Sequence, residues 1–259
     1  MSGDLSRSFS LHSEGLREAE RLGVGGWHRF LRGHSAQYGY WRGRWADAFH
    51  CADEFLAEIE AGSPHYEENQ NRNMRALVRL ARSDVQGALA DTARSVARAR
   101  QVKDAQNLCP TLAVRAFVLL STGQPDAARR LAREVVESWV GVEDVVLTWG
   151  GVGAVAAIAA LGNGGPLDAL EAESSSRGRW VAAALAYFAG DFERAAEIYA
   201  RMGSLPDAAY ARLRAAERFA AEGHKTEAEA HRQKALVFYR SVGATRYIRE
   251  AEALRTANR

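Results

Sequence analysis

Only two of the 259 residues are cysteine, Cys51 and Cys109, and they stand in unrelated contexts without metal-ligand spacing. That scarcity argues against a disulfide framework or a thiolate metal centre, and a reducing compartment is the simpler assumption. Five prolines and no long stretch of alternating apolar and polar residues leave little room for a strand-rich fold. Net charge is also nearly absent: 34 basic against 32 acidic residues give +2, which offers no electrostatic reason to expect a phosphate backbone or an anionic membrane as partner. Long hydrophobic runs are missing too. Met1 to Ser10 has no apolar core of a secretory signal, and Val152 to Leu161, the most apolar stretch, is about half the length a bilayer requires. A soluble, cytoplasmic protein is expected.

What the chain does have is alanine, the strongest helix former and the residue that lets helices approach closely. Arginines fall three or four residues from acids, as Arg194 does from Glu197, which is the pattern of a solvated helix face. One spacing recurs: alanine, six residues, a glycine or serine, four residues, alanine. It occurs as Ala36/Gly43/Ala48, Ala76/Ser83/Ala88, Ala116/Gly123/Ala128, Ala157/Gly164/Ala169, Ala183/Gly190/Ala195 and Ala216/Gly223/Ala228. Each triplet reads as a helical hairpin. The first alanine lies inside one helix, the middle residue ends it in a left-handed conformation, and the last alanine packs the next helix back. Each hairpin leaves an apolar face that only its neighbour covers, so the units should stack.

The predicted fold is therefore all-α, an α-solenoid of about six hairpins with a C-terminal capping helix over Thr245 to Thr256. Residues 13–259 should form this single array, with residues 1–12 outside it as a disordered N-terminal segment. The step from Gly164 to Gly190 is too short for a normal hairpin, so an irregular repeat is expected near Gly162 to Arg179. Ser13 to Leu22 reads as the second helix of a hairpin with no first, as though the array began in mid-repeat.

The triplets resemble the small-residue, turn and alanine positions of the tetratricopeptide repeat, although the first three steps exceed that family's usual length of about 34 residues. The helices there should accordingly be longer. Gly62-Ser63-Pro64-His65-Tyr66-Glu67, Arg79-Leu80-Ala81-Arg82, Gly87-Ala88-Leu89-Ala90-Asp91 and the stretch from Phe238 to Leu254 resemble the tetratricopeptide-like tails of actinobacterial signalling proteins. In those proteins such tails follow an AAA/STAND-type ATPase module, often with a class III adenylate/guanylate cyclase domain or sometimes a LuxR-type DNA-binding domain. The resemblance implies a right-handed superhelix and a regulatory or assembly arm, whose partner would be an ATPase or cyclase domain of the same polypeptide or another protein. No Walker loop, cyclase metal site or helix-turn-helix occurs in this sequence, so no catalytic residue carries over.

Apparent chemistry is sparse. Gly151-Val152-Gly153-Ala154-Val155-Ala156 matches a dinucleotide fingerprint, and Val145 to Leu147 could be its strand, but no following strand is evident. His224 and His231 could share a helix face, yet two ligands without a third do not make a metal site. His50 and Cys51 are adjacent, so their side chains diverge on a helix. No enzyme, cofactor or metal is expected. The aromatic run of Trp27, Phe30, Tyr38, Tyr40, Trp41 and Trp45 has hot-spot composition, though Trp41 and Trp45 flank a turn and would pack between helices. By the family's geometry, Gln37, Tyr40, Gln70, Asn73, Leu77, Phe117, Trp180, Tyr187 and Tyr210 would line the concave groove. Amide donors beside aromatic anchors suit a bound peptide or helix, with a small effector inside the superhelix as the alternative.

Overall fold

The computed structural model describes residues 4–138, 151–160 and 178–257. Within them every regular element is a helix: α1 (Leu5–Arg21), α2 (Gly25–Trp41), α3 (Trp45–Glu60), α4 (Glu68–Ala81), α5 (Val85–Val102), α6 (Ala105–Ser121), α7 (Pro125–Ser138), α8 (Gly151–Ala159), α9 (Arg179–Phe188), α10 (Phe192–Met202), α11 (Leu205–Ala221), α12 (Lys225–Ser241) and α13 (Thr245–Ala257). None of these helices is long and apolar enough to cross a membrane. The irregular repeat expected near Gly162 to Arg179 falls mostly outside the described residues, as do Gly164 and Ala169.

The turns explain the regularity. Left-handed residues recur at Gly23, Gly43, Gly62, Ser83, Lys103 and Gly123, and again at Gly190, Gly203, Gly223 and Gly243. At Gly43 the two terminal bonds are Gly43 N–H to the Tyr40 carbonyl at 3.0 Å and Arg44 N–H to the Gly39 carbonyl at 2.9 Å, the paired closure of a Schellman turn. Asp84 and Asp191 do double work. The Asp84 N–H closes α4 on the Arg79 carbonyl at 2.8 Å, while its carboxylate accepts the Gly87 N–H at 2.9 Å and so opens α5. The structural unit is thus one helix plus a short turn, most often of three residues. Two such units make the long steps seen in the sequence, with helices of 14 to 18 residues over α2–α7.

The described triplet alanines sit at helix contacts. Ala36, Ala76, Ala88, Ala116, Ala183 and Ala195 are fully buried, and Ala48, Ala128, Ala157, Ala216 and Ala228 nearly so. A side chain at Gly39 would meet Ala48 at about 3.2 Å, so α2 and α3 touch almost backbone to backbone. Helices pack on their sequence neighbours and on the next helix but one, as α2 does on α4, α4 on α6 and α6 on α8.

The helix α1 begins at Leu5, so residues 5–12, expected to lie outside the fold, belong to it. Asp4 caps this helix through the Arg7 N–H at 3.1 Å, and Leu5 and Phe9, one turn apart, are buried. That spacing is the apolar stripe of a helix, which a short apolar-poor window hides.

The amino-terminal half of α4 is buried and polar. Asn69 donates to the Asn107 side chain at 2.7 Å and Asn71 to the Gly33 carbonyl at 2.9 Å. Buried Asp91 of α5 takes two bonds from Arg75, at 2.9 and 2.6 Å, and one from Arg79 at 2.8 Å, while Arg75 also reaches Asp53 at 2.7 Å. These pairs lock α3, α4 and α5 in register, because a buried charge without its partner is expensive.

The chain then folds back on itself. α11 packs on α2 and α8, and α13 on α4. Trp41 meets Trp180 at 5.7 Å, Trp45 meets Phe238 at 5.6 Å, and Phe117 meets Tyr210 at 5.6 Å between ring centres. Ser83 and Thr245 hydroxyls lie 3.0 Å apart, and Arg246 donates to the Ser121 carbonyl at 2.5 Å.

Candidate functional site: the enclosed interior

Where the C-terminal helices meet α2, α4, α6 and α8 there is a partly open cavity of about 30 Å³. Half of its lining residues are aromatic. Tyr40 and Trp45 stack at 5.2 Å with their planes 2° apart, pinned by the Trp45 indole N–H on the Tyr40 carbonyl at 3.0 Å. Tyr247 stacks on Tyr239 at 4.8 Å and meets Tyr210 edge-on at 5.9 Å. Trp41, Met74, Leu77 and Phe117 complete the apolar side.

Among the lining residues one carries a formal charge, Asp207 in the first turn of α11. It is buried, accepts the Ser204 hydroxyl at 2.6 Å, and accepts the Val152 N–H at 3.1 Å, which caps the start of α8. Gly151 makes room for it: the residue has φ +55°, and a side chain there would meet the Asp207 carboxylate at 2.7 Å. Burial pushes the Asp207 carboxyl up to about 6, with the bonds from Ser204 and Val152 pulling the other way. Burial likewise pushes the Tyr40, Tyr199 and Tyr239 phenols well above their usual range, so they stay protonated. Several buried polar atoms find no partner among the described residues: Trp180 Nε1, Tyr199 Oη, Tyr239 Oη, Gln37 Nε2 and Gln70 Nε2.

The nine residues expected on a concave groove face inward. Tyr40, Leu77, Phe117 and Tyr210 line the cavity. Trp180 packs between Trp41 and Tyr199, and Tyr187 against Phe192 at 4.9 Å. Asn73 is committed to packing, donating to Thr111 at 3.2 Å and accepting from Ser95 at 3.0 Å. Gln37 and Gln70 are buried on α2 and α4. Four of the nine thus share the cavity wall, and the other five are buried in helix contacts.

The other sequence candidates disperse. The glycine-rich segment at Gly151 is the first turn of α8, and Asp207 takes the helix terminus where a pyrophosphate would have to sit. Val145 to Leu147 lie outside the described residues. His224 and His231 both lie against Phe219, and His231 pairs with Glu193 at 3.3 Å. His50 lies 3.3 Å from Glu54 on the surface, while burial raises the half-buried Cys51 thiol, the opposite of nucleophile activation. Among the described residues no three His, Cys, Asp or Glu side chains are placed to hold a metal ion. Trp41 and Trp45 are buried, whereas Trp27 is 64% exposed.

Asp207, Tyr199, Tyr239 and Tyr247 escaped the sequence reading. For Asp207 a signal was present: Ser204-Leu205-Pro206-Asp207 has the hydroxyl-x-x-acid spacing of a capping box with proline in the first turn. Comparison with known proteins finds neither a family model nor a curated protein that matches the chain.

Proposed function

We propose that this chain is a regulatory helical-repeat module of the tetratricopeptide type, a right-handed superhelix whose interior takes a small effector and whose closure on that effector is its signal. One observation carries this reading: residues of α2, α3, α4, α6, α8, α11, α12 and α13 converge on one small cavity, rich in aromatic side chains, whose wall includes Tyr239 with an unpaired hydroxyl. A scaffold that merely displayed a surface would gain from filling this space with aliphatic side chains, since an unpaired buried hydroxyl costs about 1–3 kcal/mol. The resemblance noted in the sequence supports a place as the sensor or assembly arm of a larger bacterial signalling protein, acting on an ATPase or cyclase domain.

The test is thermal unfolding of the chain against a panel of small cationic, neutral and anionic metabolites. A ligand confined to the native state raises stability by about 2.7 kcal/mol at a hundred times its dissociation constant. The reading predicts a concentration-dependent shift that Leu77→Phe, which fills the cavity from its wall, removes. A panel without one shift would remove the effector from the account.

A second reading, a docking surface for a protein partner, draws on a different observation. Leu11, Leu22, Val24 and Trp27 are all exposed on α1 and the start of α2. Trp27→Ala should weaken capture of an ATPase or cyclase domain at unchanged helicity; equal capture would exclude that edge.

A further inference from the structure

The interior contains a carboxylate, Asp207, that forms no ion pair among the described residues, although 34 basic residues are available in the chain. On the same helix Arg214 is committed to Glu217 at 3.0 Å and Glu250 at 3.3 Å, and stands over the Tyr210 ring, while burial pushes the half-buried Arg212 guanidinium below its usual range. The bonds from Ser204 and Val152 account for two of the roughly four lone-pair positions of the Asp207 carboxylate. They do not account for the surrounding ring faces, nor for the Tyr239 hydroxyl, 99% buried in the same wall and without a partner among the described residues.

We propose that this cavity is a binding site for a small monovalent cation of the ammonium type, held by the Asp207 carboxylate, the Tyr239 hydroxyl oxygen and the faces of the tyrosine and tryptophan rings. The chemistry selects the class. Aromatic faces carry negative quadrupole charge and attract a desolvated cation, and recognition of amines by aromatic cages uses this attraction. One carboxylate balances one positive charge, so a divalent ion would remain under-compensated. An anion would meet the carboxylate, and an apolar guest would leave both Asp207 and Tyr239 unsatisfied. The volume of about 30 Å³ admits a guest of about the size of water and excludes a quaternary amine without opening. A bare water molecule would satisfy hydrogen bonds but not the charge.

Protonation of Asp207 must compete with the cation. The groups that face it are Tyr40 from α2, Tyr199 from α10 and Ser204 from the turn before α11, and Tyr239 of α12 and Tyr247 of α13 close the far wall. Burial keeps these phenols protonated through the neutral range. Asp207 is therefore the group whose titration sets the pH dependence, and binding should fade below its carboxyl value of about 6.

This assignment rests on the effector reading, and the experiment separates the two. The whole chain is unfolded thermally at pH 7.5 in ammonium, sodium and tetramethylammonium chloride at equal ionic strength, and ¹⁵N-ammonium is followed by NMR. The proposal expects a saturable shift with ammonium that sodium and tetramethylammonium lack, a slowly exchanging bound ¹⁵N signal, and loss of both at pH 5. Asp207→Asn should weaken ammonium binding by roughly tenfold or more, as removal of a charged acceptor does. Should that variant fail to fold, Tyr239→Phe keeps the ring and must still reduce the ammonium shift. No ammonium-specific shift and no bound signal, with only water in the cavity, overturns the cation assignment; the wider effector reading survives that result if a larger metabolite shifts wild type but not Leu77→Phe, and falls with it if none does.

Discussion

Asp207 shows how one side chain can serve structure at the expense of stability. Its carboxyl value rises from an ordinary 3.8 to about 6 in the folded chain. A raised value means that the folded state holds the proton more tightly. The stabilisation from this group is complete below about 3.8 and is lost as pH rises through about 6, a change on the order of 3 kcal/mol at most. Burial raises Glu67 and Glu217 in the same direction. Urea unfolding at pH 4, 5, 6 and 7 should therefore show a loss of stability across this window that Asp207→Asn flattens; an unchanged slope in the variant would assign the effect to the two glutamates. Asp91 is the opposite case, a buried acid with its partners in place. Asp91→Ala leaves Arg75 without its bidentate partner and should cost about 3–5 kcal/mol by denaturant titration. At this scale the sequence was half legible. Ser204 and Asp207 show the spacing of a capping pair, whereas nothing local marks Tyr199, Tyr239 or Tyr247 as neighbours of an acid 8 to 40 residues away.

Elements were the most legible level, because small residues at fixed spacing are a local consequence of close helix packing. Ala116 and Ala183 are fully buried, and replacing either by leucine should overpack a helix contact and cost about 1–3 kcal/mol in thermal unfolding. Variants that melt like wild type would show that these contacts have slack. The turns at Gly62 and Lys103 escaped the triplet pattern because their flanking positions are large, Phe55 and Glu67 in one case and Val96 and Leu108 in the other, whereas Ala196/Gly203/Ala208 carries the same spacing and went unread. Lys103 sits at φ +56° on the surface, a conformation that disfavours a β-carbon by about 1–2 kcal/mol. Lys103→Gly should accordingly raise stability by about 1 kcal/mol, after allowance for the added freedom of glycine when unfolded. Gly43 is the converse: it has φ +70°, and a β-carbon would lie 2.9 Å from the Phe238 ring, so Gly43→Ala must lower stability.

Closure belongs to the whole molecule and has no local signature. Repeats specify how each helix meets the next, through alanine contacts and turn residues. They do not specify that Trp41 will meet Trp180, or Trp45 Phe238, because the accumulated twist of many hairpins decides where distant faces arrive. The nine inward-facing residues were therefore legible as a face, but whether that face met solvent or other helices was not. The consequence for function is direct: a cavity exists only if the two halves stay together. Ser83 and Thr245, 162 positions apart with hydroxyls 3.0 Å from each other, report on that contact. Ser83→Cys combined with Thr245→Cys places two sulfurs at a distance from which a disulfide can form with little backbone movement. Under mild oxidation the closed fold predicts near-complete intramolecular crosslinking with native helicity, read by mass spectrometry and faster migration on a non-reducing gel. A natively helical protein in which those two cysteines stay reduced would contradict it.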